Sequence, residues 1–349
     1  MKTKIKNCII KHIETMVPSK IVNNMDLDFE EKIKKKIVKN TGVEQRHVLE
    51  DNQSFMELYK QIGVNTLQAL NWDKDTIDGV IVVTQTQEYR LPATSCILQG
   101  ELELNSEAFA YDISMGCSGY IYGLYNAMSN IAASSGEIKR VLLFVGDAIS
   151  TIVNPKNKSN VFLFGDAVSC TAIEYDTNAP ETPFILKTDG REFDNIIIED
   201  SGLKNKITYS SFEDYTDEDG NINSKDCLKM DGAKVFNFTV DNVPNIVEET
   251  LSYSQINKEE LSNYCFHQAN KFMINFLSTK IKVNDKTPIN IEKFGNTSCA
   301  SIPLILTEIK SATKNNMLVG FGVGMSMGTC IVDLENTTFN HSIYKEQTE

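Results

Sequence analysis

Along this chain, short runs of β-branched residues alternate with longer stretches whose apolar residues recur at helical spacing. IDGVIVVTQT (Ile77 to Thr86) and RVLLFVGD (Arg140 to Asp147) are nearly unbroken apolar runs, the pattern of strands covered on both faces. Ser54 to Trp72 and the stretch from Ser118 onward repeat apolar residues every three or four positions, which predicts helices. Residues 4 to 13 read as a first strand, and Leu27 to Asn40 as a helix stopped by Gly42 at its C-cap. Pro92 opens a further helix, and residues 108 to 114 form a short buried strand before Gly116. AVSCTAIEY (Ala167 to Tyr175) supplies one or two strands more. Such alternation specifies an α/β sheet with helices on both faces.

The second half repeats this outline. LSNYCFHQA (Leu261 to Ala269) is a strand leading into a helix from Asn270. Gly295-Asn296-Thr297-Ser298 opens a helix of small and then apolar residues, much as Gly116-Cys117-Ser118-Gly119 does. NMLVGFGVGMSMGTCIVDL (Asn316 to Leu334) reads as two strands separated by glycines. At 349 residues the chain exceeds the usual single core, so two duplicated halves are expected, 1–176 and 177–349, with a site between them. Met230 to Tyr253 predicts a long helix, kinked or divided at Pro244. The irregular stretch 189–223 reads as a surface insertion without chemistry.

Charge and cysteine usage then narrow the function. A formal charge of −13 argues against a nucleic-acid partner, which needs a basic surface. No apolar run is long enough to cross a bilayer, and the first residues carry charges inside their apolar part with no small-residue cleavage site, so a cytoplasmic protein is expected. The eight cysteines are scattered without a C-x-x-C pair, which disfavours zinc ribbons and disulfide scaffolds. Lys32, Lys34, Lys35, Lys36 and Lys39 gather on one predicted helix, either as a solvated face or as a docking patch.

Cys117 stands at the sharp turn between a strand and a helix, where free N–H groups and the positive end of the helix dipole favour a thiolate. That makes it a candidate nucleophile, against the alternative of a buried core cysteine. With four histidines in the chain, imidazole chemistry is restricted to positions 12, 47, 267 and 341.

The strings YDISMGCSGY, FGDA, MDGAKVFNFTV, FHQAN, GNTSCASIP and GFGVGMSMG, in this order and spacing, resemble the type III β-ketoacyl-acyl-carrier-protein synthases of the thiolase superfamily, over Thr41 to Asp333. The resemblance implies a five-layered α-β-α-β-α fold, a homodimer, and a Cys-His-Asn site carried onto Cys117, His267 and Asn296. It implies an acyltransferase of fatty acid or polyketide biosynthesis with no permanent cofactor. Its substrates would be thioesters carried on phosphopantetheine, in acyl carrier protein or coenzyme A. Cys117 would take an acyl group from a thioester, with the backbone N–H groups of Cys117 and Gly324 as oxyanion hole. His267 and Asn296 would hold a malonyl thioester as it loses carbon dioxide, so the imidazole Nε2 must carry a proton.

Departures from the family pattern concern the donor. Where the family stacks and pairs with the adenine nucleotide of coenzyme A, this chain has Lys36 and Asn40; Lys158 replaces another nucleotide-binding Arg. The basic carrier-docking position after HQAN is Phe272, with Lys271 adjacent. Met325 and Met327 stand where the family borders its acyl pocket, giving a pliable wall or merely core. An acyl-carrier-protein donor therefore competes with acyl-coenzyme A. Transfer to a hydroxyl or amine without decarboxylation, and a silent partner subunit, are the alternatives. The hydroxymethylglutaryl synthase branch would place a Glu near Thr86, and Glu88 stands two positions on.

Overall fold

The computed structural model describes residues 1–310 and 312–345. Two mixed sheets carry the fold. The first contains β2 (Cys8–Val17), β3 (Gly79–Val83), β4 (Phe109–Ile113), β5 (Arg140–Asp147), β6 (Ala167–Tyr175) and β11 (Thr338–Ile343), in the order β11-β2-β6-β5-β3-β4. The second contains β1 (Lys2–Ile5), β7 (Thr182–Thr188), β8 (Asn263–Phe266), β9 (Asn316–Gly322) and β10 (Ser326–Val332), in the order β1-β7-β10-β9-β8. Each terminal strand thus joins the sheet built mainly by the other part of the chain.

The strand directions reveal the duplication. From β2 the first sheet runs antiparallel to β6, antiparallel to β5, then parallel to β3. From β7 the second runs antiparallel to β10, antiparallel to β9, then parallel to β8. Helices follow the same correspondence: α2 (Phe55–Leu70) with α5 (Gly232–Ser254), α3 (Thr94–Glu101) with α6 (Lys271–Ile281), and α4 (Gly119–Ala133) with α7 (Ser301–Ile309), after α1 (Glu31–Thr41).

Three apolar clusters make the layers. Tyr120, Leu124 and Ile131 of α4 share one core with Ile302, Leu304 and Ile305 of α7, between the sheets. Phe55, Tyr59 and Ile62 of α2 cover the outer face of the first sheet with Leu98 of α3. Val243, Ile246 and Val247 of α5 cover the second with Leu277 of α6. The result is the thiolase-like α-β-α-β-α sandwich, closed because both faces of each apolar sheet need cover.

Several expectations change in detail. The first predicted strand is two, β1 and β2, each in a different sheet. α1 begins at Glu31, four residues after Leu27, while Gly42 does take the left-handed C-cap (φ 74°). AVSCTAIEY is one strand, and Pro244 lies within α5 without dividing it. β4 was expected to be buried but is half-exposed, because it is the edge of the first sheet.

Candidate active site

The two middle helices begin side by side, and the site is built around their starts. Cys117 lies between the end of β4 and the first turn of α4, partly exposed, while neighbouring Ser118 is fully buried and hydrogen-bonded to Ser326 of β10 at 2.7 Å. The end of β9 abuts the cysteine so closely that a Cβ on Gly322 would lie 2.6 Å from Cys117 Cβ and 3.0 Å from Sγ. Only glycine fits there.

His267 follows β8 and is 1% exposed. Its backbone N–H is given to Val319 O at 2.8 Å, its Nδ1 lies 2.7 Å from Ser301 Oγ on α7, and its ring meets Phe321 edge-on at 5.5 Å. Burial pushes its pKa down to about 3, so the imidazole is neutral at ordinary pH.

Asn296 sits in a loop clamped to the other half. Its N–H is given to Leu163 O at 2.8 Å, and its carbonyl accepts from Gly165 N–H at 3.1 Å. A Cβ on Gly165 would meet Phe294 O at 2.1 Å, so the clamp also depends on a glycine. The side-chain oxygen of Asn296 accepts the Ser298 N–H at 3.0 Å, which leaves its NH2 as the group free for other partners.

Cys117, His267 and Asn296 all line one cavity of about 270 Å³. Its apolar wall includes Ile149, Phe164, Ile197, Ile198, Leu228 and Met230. Two of these, Ile197 and Ile198, come from the stretch expected to have no chemistry. Its run of three isoleucines at 196–198, inside an otherwise polar and charged stretch, was the available sign that it packs inward.

Two expectations at Cys117 are corrected. Burial, then the charge of Asp147, push the Cys117 thiol up to about 11, so it rests protonated rather than as a thiolate; hydrogen bonds from Ser298 and from the Val323 and Cys117 N–H groups only partly oppose this. The second backbone donor at the sulfur is therefore Val323, which lines the cavity, whereas Gly324 does not. Gly324 turns instead against Ser326.

Two family models match the chain. One, described as 3-oxoacyl-[acyl-carrier-protein (ACP)] synthase III, covers residues 111–190, and one described as the C-terminal part of that enzyme covers 251–334. A putative 3-oxoacyl-[acyl-carrier-protein] synthase 3 of Campylobacter jejuni is 33% identical, across 99% of this chain and 100% of that protein. The chain belongs to the 3-oxoacyl-[acyl-carrier-protein] synthase III family. A solved 3-oxoacyl-(acyl-carrier protein) synthase of Burkholderia xenovorans superposes with a TM-score of 0.89 at 36% identity, across 98% of this chain and 99% of that one. A β-ketoacyl-[acyl-carrier-protein] synthase III of Lactococcus lactis subsp. cremoris is 28% identical across 91% of this chain and 96% of its own.

Against that family background the peripheral candidates fall outside the cavity. Met325 and Met327 are buried in the second sheet's outer core, so the pliable acyl wall expected of them is replaced by packing. Lys36 and Asn40 are exposed on α1. Lys271 lies against the end of that helix, where a Cβ on Gly42 would meet its Cβ at 2.5 Å. Lys158 gives its ammonium to Asp219 O at 3.2 Å and Gly220 O at 2.9 Å, which holds it to a turn. Glu88 accepts from Ser54 Oγ and Met56 N–H at the start of α2, a capping role. Among the described residues no helix is long and apolar enough to cross a membrane, and no metal-binding cluster of acidic, His or Cys side chains occurs.

Proposed function

We propose that this condensing enzyme loads an acyl group from a thioester onto Cys117 and condenses it with a malonyl thioester, with loss of carbon dioxide. The reading rests on one observation: a cysteine at a helix start, a neutral imidazole and a clamped asparagine face the same cavity. Cys117 attacks the thioester carbonyl, and the N–H groups of Cys117 and Val323 stabilise the oxyanion; one such donor is typically worth about 10²–10³ in rate. In the second step the malonyl carbonyl oxygen accepts from His267 Nε2–H and the Asn296 NH2 as negative charge gathers on it. Ser301 Oγ supports that tautomer: it accepts the Gln268 N–H at 3.4 Å, so its own proton is free for Nδ1, leaving the ring proton on Nε2.

The donor is an acyl-coenzyme A or acyl-carrier-protein thioester, and the carrier arm enters along the apolar wall. Lys32, Lys36, Lys39 and Lys271 form a basic rim on α1 and α6, which suits an acidic carrier more than the stacking of a nucleotide base. A homodimer fits the half-exposed edge strand β4, whose unpaired backbone groups could pair with a second copy. Incubation with acyl primers and labelled malonyl-carrier protein is expected to release carbon dioxide and yield a β-ketoacyl product, both lost in Cys117→Ala. Acylation of Cys117 followed by transfer to an alcohol or amine without any malonyl requirement would overturn the condensation.

A further inference from the structure

The strand β11 takes no part in the steps above, yet it backs the half of the site that would carry them out. It lies past residue 334, where the family match ends, and forms an edge of the first sheet, parallel to β2 with His341 opposite Thr15. Alternate residues of a strand share a face, and Phe339 packs on the middle-layer core, so His341 two positions on is turned to the same layer. There its ring meets the ring of Phe294 edge-on, with centroids 5.5 Å apart. His47 lies against the same phenylalanine at 5.8 Å.

Both imidazoles are anchored on or just past β2. His47 gives its Nδ1–H to Pro18 O at 2.6 Å, and His341 Nδ1 lies 3.0 Å from Thr15 Oγ1. Thr307 of α7 gives its hydroxyl proton to Leu304 O at 3.0 Å, so Thr15 gives its own to Thr307 at 2.7 Å and accepts the Nδ1–H of His341. That chain of bonds fixes the His341 ring and ties it to α7, the helix whose Ser301 orients His267.

We propose that His341 is a positioning residue for Asn296 in the decarboxylation step, acting through the ring of Phe294. This rests on the malonyl condensation proposed above. The NH2 of Asn296 must meet the malonyl oxygen as charge gathers there, so the turn that carries it has to be held still. Gly295 takes a φ of +69° in that turn and has no side chain to pack, which leaves Phe294 as the nearest preceding side chain that can pin the turn to the core. Phe294 is 8% exposed, and its ring is fixed from the sheet side by His47 and His341. His341 is only half-buried at the sheet edge, so removing its ring admits water beside Phe294 and frees the turn. Cys117 is held by Gly322 of β9 and the start of α4 instead, so its loading is independent of this contact.

The test measures two rates on the full-length protein: loading of Cys117 by an acyl thioester, read by intact mass, and carbon dioxide release from labelled malonyl-carrier protein by enzyme already acylated. His341→Ala is expected to slow release about tenfold, short of the roughly 10²-fold that a full 1 Å misplacement can cost, with loading within about twofold of wild type. His341→Phe returns a ring to Phe294 and should bring release back to within about threefold of wild type. His341→Asn keeps an N–H for Thr15 but no ring, and should be as slow as His341→Ala; it decides the matter if His341→Ala does not fold. Phe294→Leu should slow release by itself, and adding His341→Ala should slow it no further, since both act through one contact. Wild-type release in His341→Asn, no recovery in His341→Phe, or equal losses of loading and release across the variants overturns the positioning role alone. Wild-type protein that loads Cys117 but releases no carbon dioxide overturns the proposed function and this role together.

Discussion

His267 Nδ1 lies 2.7 Å from Ser301 Oγ, so the orientation of the imidazole is set from α7 rather than from its own strand. Ser301→Ala should therefore leave Cys117 acylation near wild type and slow malonyl decarboxylation about fivefold to thirtyfold, the range for losing one hydrogen bond of about 1–2 kcal/mol. His267→Ala should slow decarboxylation about 10²-fold or more with acylation retained. Separate assays of acyl loading by mass and of carbon dioxide release measure the two steps, and loss of loading alone in His267→Ala would refute the division of roles.

The thiol of Cys117, pushed up to about 11 by burial and Asp147, predicts slow alkylation at neutral pH. The iodoacetamide rate should climb about tenfold per pH unit between pH 7 and 10 without levelling off. A plateau below pH 8 would mean that the helix start dominates after all.

The depressed pKa of His267, about 3 in the folded chain, has a consequence for stability. An unfolded histidine takes up a proton near pH 6.5, so between there and about pH 3 the unfolded state binds more protons than the folded one. Stability conferred by the neutral ring is thus present above that window and lost as pH falls through it. Urea midpoints at pH 7 and pH 4.5 should drop further for wild type than for His267→Gln, after each is referenced to its own value at pH 7. Equal drops would show the ring is not protected from protonation.

The alternating apolar segments made the strands and helices legible and put Cys117 at a strand-to-helix turn, whereas His267 and Asn296 were singled out by the family resemblance of FHQAN and GNTSCASIP. The partners that tune those residues were not. Val323 and Ser301 reach the site through the crossing of β9 and α7, whose separation from Cys117 and His267 is fixed only by tertiary packing. Asp147 shows in the sequence only as a charge closing an otherwise apolar strand, and its nearness to Cys117 comes from tertiary packing. The thiolate expectation failed because a helix dipole acts within its first turn and is here set against burial of the sulfur and the charge of Asp147.

Gly165 and Gly322 hold the two halves of the site by different close approaches, so substituting each should separate the two chemical steps. A Cβ on Gly165 would meet Phe294 O at 2.1 Å and press on the bridge that carries Asn296. Gly165→Ala should therefore slow decarboxylation about 10²-fold while Cys117 still loads, since the cysteine is held by β9 and α4 instead. A Cβ on Gly322 would press on Cys117 itself, so Gly322→Ala should slow loading by a similar factor, with overpacking lowering stability by about 1–3 kcal/mol. Loading and carbon dioxide release are measured for both, alongside urea midpoints. Loss of both steps in equal measure in Gly165→Ala would mean that the Asn296 loop and the cysteine turn are one mechanical unit, and that the site is not assembled from separable halves.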